Sequence, residues 1–372
     1  MKLLYPFPEP LPLDRARGIQ TVQTVRAIAD QGISVILAHV PAGADPFVAY
    51  SVRKPDNVQL APVSHRLFWP LGRVHSNRIF AARLGYAVEW RDVGAIMVRH
   101  MKLGRLLMER RPELSILYEA HEAFSDTAAP ERRDRIRELE RSVVEGAAAL
   151  VANSNATARR LAELYKTRSP IQVVPNGVDY PSEVPERDWA RAREGVIYAG
   201  SFFGWKGVED LVIAARHLAG FRFRILGGDE SGIARLRREL GSDGAQLDFA
   251  GRVPHAQVAI ELQHACIAVL PNRAEPDSMF TSPIKLFEYM AAGCALVVSD
   301  LPSIREILDA DEAEWVAPGD AGALAAAIRA LADAPDRAKV MAARVREKAK
   351  RYTWDARGER LARLIRPLLE RR

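Results

Sequence analysis

The sequence predicts an α/β protein built from two doubly wound, parallel-sheet domains, and three observations carry that prediction. Strand-like and helix-like blocks alternate from end to end, as in an open parallel sheet with helices on both faces. The apolar run Ala295-Leu-Val-Val298 shows no alternation, which is expected of a strand covered on both sides. After a polar, proline-bearing connector (residues 181–194) the whole pattern restarts. At 372 residues the chain exceeds one small core. We place the N-terminal domain at residues 1–177, the C-terminal domain at 178–350, and a last helix at 351–372 that returns to the first domain.

Each element follows from local signals. Residues 2–5 read as the first strand, followed by a proline-rich loop and a helix from about Ile19 to Asp30, broken at Gly32. Residues 34–38, 95–98, 115–118 and 149–152 are further short strands; Asn153-Ser154 then caps a helix over 156–165. Residues 171–174 lead into Pro175-Asn-Gly-Val-Asp179, a strong turn signal. In the second half, strands at 196–199, 222–226, 247–250 and 267–270 each end at a glycine or proline. Glycine-rich or polar loops therefore fall at the carboxyl ends of strands, where open parallel sheets bind ligands.

The segment Thr281-Ser-Pro-Ile-Lys-Leu-Phe-Glu288-Tyr-Met-Ala-Ala-Gly293 carries the most chemistry. Ser282 suits the N-cap and Pro283 the first helical position, while Gly293 closes the helix. A helix N-terminus beside such a sheet attracts anions through free amides and the helix dipole. Lys285 and Glu288 lie three apart on one helix face, so they either address one ligand together or form an ordinary ion pair.

Composition bounds the class. The chain is 48% hydrophobic and 27% charged, with no apolar run long enough to span a bilayer and no long apolar leader after Met1. Its two cysteines, Cys266 and Cys294, read as buried thiols in a reducing compartment, and a cytoplasmic protein is expected. The net charge of +6 is uneven: residues 1–180 hold 25 Lys and Arg against 19 Asp and Glu, which leaves the remainder balanced. Such an excess suits an anionic partner, such as the inner face of a membrane or a polyanionic acceptor, or simply a solubilising surface. The stretch from His65 to Arg73, with Phe68 and Trp69 between Arg66 and Arg73, is either an interfacial contact or a loop packed on its own domain. Asp309-Ala-Asp311 follows a helix rather than a buried strand and reads as an acidic turn; no metal site is expected, and no nucleic-acid motif appears.

Several motifs in order complete the reading: Pro175-Asn-Gly-Val-Asp179, Val196-Ile-Tyr-Ala-Gly-Ser201, Trp205-Lys-Gly-Val208, Phe249-Ala-Gly-Arg-Val253, Val269-Leu-Pro271, the Ser282–Gly293 run and Leu301-Pro-Ser-Ile-Arg-Glu306. Together they resemble a GT-B glycosyltransferase of glycosyltransferase family 4, the retaining nucleotide-sugar enzymes. The resemblance covers nearly all of the second domain and touches the first at Gly18, Tyr118-Glu-Ala-His-Glu122 and Val151-Ala-Asn-Ser154. It implies two Rossmann-like domains facing across a cleft, with donor bound by the second and acceptor by the first. Lys206 would bind the donor diphosphate and stabilise the leaving nucleotide. Glu288 would accept from the ribose hydroxyls, and amides around Thr281, Ser282, Pro283 and Ile284 would hold phosphate or sugar oxygens. Arg252 and Val253 would lie beside the base, Gly18 would admit the diphosphate, and His121 would sit next to the transferred sugar.

Two departures from the family pattern stand out. Phe280 occupies the place of a frequent glutamate, leaving the sugar contact to Asp277 or loop amides. Ser201 stands where an arginine is common, which leaves Lys285, then Arg273, as candidate second phosphate cations. The expected activity is transfer of a hexose from a UDP- or GDP-sugar to a carbohydrate or lipid-linked acceptor, with no cofactor. A nucleotide-sugar epimerase and a non-catalytic sugar-nucleotide binding protein are the alternatives.

Overall fold

A computed structural model describes residues 1–13, 16–64, 76–240, 246–275 and 283–370. It divides into two compact units, residues 1–177 with 354–372, and residues 178–353. The expected domain edge at 350 moves to 353, because Lys350–Tyr352 continue as a 3-10 turn from the Pro335–Ala349 helix and stay with the second unit.

The first unit holds a seven-stranded parallel sheet: β1 Lys2–Leu11, β2 Val35–Pro41, β3 Val58–Pro62, β4 Val93–Val98, β5 Ser115–Ala120, β6 Ala149–Ala152 and β7 Ile171–Val173. Their spatial order is β3-β2-β1-β4-β5-β6-β7, so the chain reverses direction of growth between β1 and β4. The second unit holds β8 Val196–Ala199, β9 Arg222–Leu226, β10 Gln246–Gly251, β11 Ile267–Leu270, β12 Ala295–Ser299 and β13 Glu314–Val316. Here the order is β10-β9-β8-β11-β12-β13, and the reversal lies between β8 and β11.

Side-chain alternation along the strands splits each core in two. In the second unit Val196, Tyr198, Ile267, Val269, Ala295 and Val297 enter one apolar cluster, while Ile197, Ala199, Ala268, Leu270, Leu296 and Val298 enter the other. Each face is therefore a core in its own right, which is why these strands read as unbroken apolar runs. The first unit repeats the arrangement, with Leu4, Ile96, Val98 and Tyr118 on one side and Leu3, Ala95, Met97 and Leu117 on the other.

The Trp354–Glu370 helix covers the second of those faces through Leu361, Ala362 and Ile365. Gly358 allows it to lie against the Ala16–Asp30 helix, since a Cβ there would meet the Ala27 carbonyl oxygen at 2.4 Å. Strands β3 and β13 were not anticipated; they are edge strands, and their mixed burial hides them among loops. Among the described residues, no helix is long and apolar enough to cross a membrane. The segment from His65 to Arg73 lies outside the described residues, with all four of its aromatic and arginine residues.

Candidate functional site

In the second unit the reversal point between β8 and β11 is flanked by two segments that carry the predicted donor residues. After β8 the chain passes Ser201, which is exposed, and forms a 3-10 turn at Gly204–Lys206 before the Val208–Ala215 helix. Gly207 closes the turn at φ +66°, and a Cβ there would lie 1.9 Å from the Pro271 carbonyl oxygen. Only glycine fits that approach. The Arg273 amide donates to the Trp205 carbonyl (2.8 Å), so the exit of β11 holds the Lys206 turn directly.

Lys206 is half-buried, its ammonium 3.9 Å from the centre of the Trp205 ring. Burial, and then the neighbouring Lys285, lower its pKa to about 8. Among the described residues no carboxylate pairs with it. Two ammonium groups held near each other with one unpaired raise the energy of the empty site, and an anion between them would lower it.

After β11 comes the Ile284–Ala292 helix. Pro283 is its N-cap, one position later than the expected cap at Ser282, and makes no side-chain capping bond; Ser282, Thr281, Asp277 and Phe280 lie outside the described residues. Ile284 begins the helix and Gly293 ends it at φ +74°. Lys285 Nζ lies 2.6 Å from Glu288 Oε2, so these two side chains pair with each other, both largely shielded from solvent. The helix is pinned to β8 by Tyr289, whose hydroxyl accepts from the Ala199 amide (2.8 Å). This bond ties the helix that carries Glu288 to the end of the strand that leads to Lys206.

Arg273, the second choice for a spare phosphate cation, already has a carboxylate partner. Its guanidinium is taken in a two-pronged bond by Asp210, Nε to Oδ2 at 2.8 Å and Nη2 to Oδ1 at 2.7 Å, which neutralises it. Asp210 and Arg273 hold the turn, and nothing in their separate sequence contexts announces the pairing. Arg252 follows β10, exposed, and Val253 packs on the core edge beside it. Asp309 and Asp311 pair with Lys348 and Arg344, which accounts for the acidic triplet.

In the first unit Gly18 lies inside the first turn of the Ala16–Asp30 helix, not in a loop before it. A Cβ there would meet the Tyr50 hydroxyl at 2.1 Å, and that hydroxyl bonds the Leu13 amide and carbonyl (2.6 Å each). Its small size serves internal packing against Tyr50.

His121 stands just past β5, with its carbonyl held by Asn153 Nδ2 (2.9 Å). Its Nε2 lies 3.1 Å from Glu119 Oε1, out of line for a hydrogen bond. Burial and then Arg99 lower its pKa to about 4, so the ring is neutral at neutral pH. Glu119 is buried, paired with Arg357 of the last helix, and held well below the usual carboxylate range despite its burial. Arg357 also donates to the Val174 and Pro175 carbonyls (2.8 and 2.9 Å). Near the reversal point between β1 and β4, Glu9 accepts from Arg17 Nε (2.8 Å), and His100 Nε2 lies 2.8 Å from its other oxygen. Sequence reasoning missed this group because its members lie far apart in the chain and match no short motif.

The family comparisons bear on both units. The family described as Glycosyltransferase Family 4 matches residues 18–180, and that described as Glycosyl transferases group 1 matches 193–334. The chain belongs to the GT-B glycosyltransferases of the family 4 type. Among relatives of this glycosyltransferase family, a phosphatidyl-myo-inositol mannosyltransferase of Mycolicibacterium smegmatis is 31% identical over 191 residues, 49% of this chain and 48% of that one. A D-inositol 3-phosphate glycosyltransferase of Kineococcus radiotolerans is 28% identical over 272 residues, 64% and 61% of the two chains. The chain thus matches about half to three-fifths of the length of these relatives. The GT-B fold is shared with sucrose-phosphate synthase from Thermosynechococcus elongatus, at TM-score 0.76 and 19% identity over 99% of both chains. It is shared too with the Anabaena protein HepE in complex with UDP, at TM-score 0.72 and 14% identity over 98% and 99%.

Proposed function

We propose that this glycosyltransferase-family chain transfers a hexose from a UDP- or GDP-sugar to a carbohydrate or lipid-linked acceptor, with retention at the anomeric carbon and no resident metal. The observation that carries the reading is Lys206, an ammonium without a carboxylate partner among the described residues, at the reversal point of the donor-side sheet. A diphosphate is the ligand that such a charge suits, since negative charge grows on it as the glycosidic bond breaks. Glu288, on the helix that Tyr289 ties to β8, would accept from ribose hydroxyls once Lys285 turns from it to the phosphate. The relative named a mannosyltransferase and the neighbour solved with UDP agree with a sugar-nucleotide donor. His121, neutral at neutral pH, is suited to a sugar hydroxyl rather than to phosphate.

Donor hydrolysis and transfer, screened over UDP- and GDP-sugars with Lys206→Ala and Lys206→Arg, test the proposal. Loss of nucleotide release in the alanine variant, partly restored by arginine, supports it. Undiminished release in Lys206→Ala refutes it. Conversion of the donor to an epimer without acceptor would also refute it.

A further inference from the structure

The first unit carries a charge that its own residues leave unanswered. Arg99 lies immediately past β4, on the edge where β1 and β4 part. Glu9 is matched there by Arg17, and Glu119 by Arg357. Among the described residues Arg99 meets no carboxylate; its Nη1 donates to the neutral Gln20 Oε1 (3.1 Å), whose amide is turned toward it by a bond to Asn176. The groups that feel its charge come from every neighbouring element: Tyr5 on β1, His100 beside it, and Tyr118, Glu119 and His121 on and after β5. Of these only Glu119 is anionic, and it is committed to Arg357. Two polar atoms at the same edge, His100 Nδ1 and His121 Nε2, are buried without a hydrogen-bond partner, so the polar complement of this edge is incomplete.

A half-buried guanidinium with one neutral partner keeps most of its donors for a ligand, and its planar fork matches phosphate oxygens. We propose that Arg99 anchors an anion subsite of the first unit that takes the phosphate of a phosphorylated acceptor. The acceptor role rests on the transfer reading above; the subsite itself does not. The shared chemistry is a phosphate ester, which a soluble sugar phosphate and a phospholipid headgroup both supply.

The test is a titration of full-length Lys206→Ala protein, in which the donor-side cation is absent, read by the ring carbon–proton signals of His100 and His121 in histidine-labelled protein. The titrants are glucose 6-phosphate, and dihexanoyl-phosphatidylglycerol below its micelle concentration. A saturable shift with the first alone assigns a soluble acceptor, and with the second a lipid headgroup; either supports the subsite. In addition, Arg99→Gln should weaken that binding about tenfold or more, as loss of a charged hydrogen bond does. Arg99→Lys should recover part of it, and an unmoved signal from His39, buried on β2, confirms that the unit is folded. No saturable shift with either titrant, or equal affinity in Arg99→Gln, overturns the subsite. Donor hydrolysis by the wild-type chain is measured separately, so the transfer reading and the subsite can fail independently.

Discussion

Asp210 and Arg273 meet in a two-pronged ion pair, 2.7 and 2.8 Å, that ties the helix after Lys206 to the segment after β11. The Lys206 turn is caught between them, with Gly207 against Pro271 and Trp205 bonded to the Arg273 amide. The position of the donor-side cation is thus set by three contacts from one strand end. Removing either partner of the pair should misplace Lys206 without removing it. Arg273→Gln is expected to lower donor turnover about tenfold or more, a size typical when a positioned charge loses its support. Steady-state kinetics beside a denaturant curve would separate this from unfolding; unchanged turnover would show that the clamp does not position Lys206.

The lowered pKa of Lys206, about 8, makes nucleotide binding depend on pH. A diphosphate favours the ammonium and raises that pKa, so binding above it must take up a proton. UDP or GDP affinity should be flat below about pH 8 and fall above it, approaching about tenfold per pH unit until the raised pKa is reached. Calorimetry in buffers of different ionisation heat would detect the proton uptake. Lys206→Arg, which stays charged, should lose the dependence.

Glu119 and Arg357 form a buried pair between β5 and the last helix. Arg357→Met leaves a buried carboxylate without its cation and is expected to cost about 3–5 kcal/mol. Since the folded pKa of Glu119 is depressed, the pair's contribution is present above the ordinary carboxylate pKa and is lost as the pH falls toward the depressed value. Denaturant midpoints should therefore fall with acid in the wild type, and less steeply in Glu119→Gln.

Gly207→Ala meets both a positive φ and the Pro271 carbonyl, whereas Gly220, at φ +80°, has nothing within 4 Å of the place its methyl group would take. Gly207→Ala should destabilise the second unit by about 1–3 kcal/mol more than Gly220→Ala, because it adds a backbone clash to the shared dihedral strain. Paired unfolding curves check the difference, and equal losses would show that the turn can move away from Pro271.

What the sequence disclosed divides along physical lines. Strands buried on both faces are legible because each is a short unbroken apolar run, and β12 is the clearest case. The helix stop at Gly293 is legible because it is set by neighbours within one turn of chain. The pairing of Arg273 was not legible because its partner, Asp210, is 63 positions away. Glu119 and Arg357, 238 positions apart, were invisible for the same reason. The packing of Tyr50 on Gly18 was not legible, because a glycine in a helix turn gives no local sign of which side chain needs its space.

A crystal of the chain grown with UDP or GDP tests the central claim most directly. The account predicts the diphosphate within hydrogen-bond distance of Lys206 Nζ and the ribose hydroxyls on Glu288, with the Lys285–Glu288 pair opened. Nucleotide bound away from both residues, or bound with Lys206 still facing only Trp205, would contradict it.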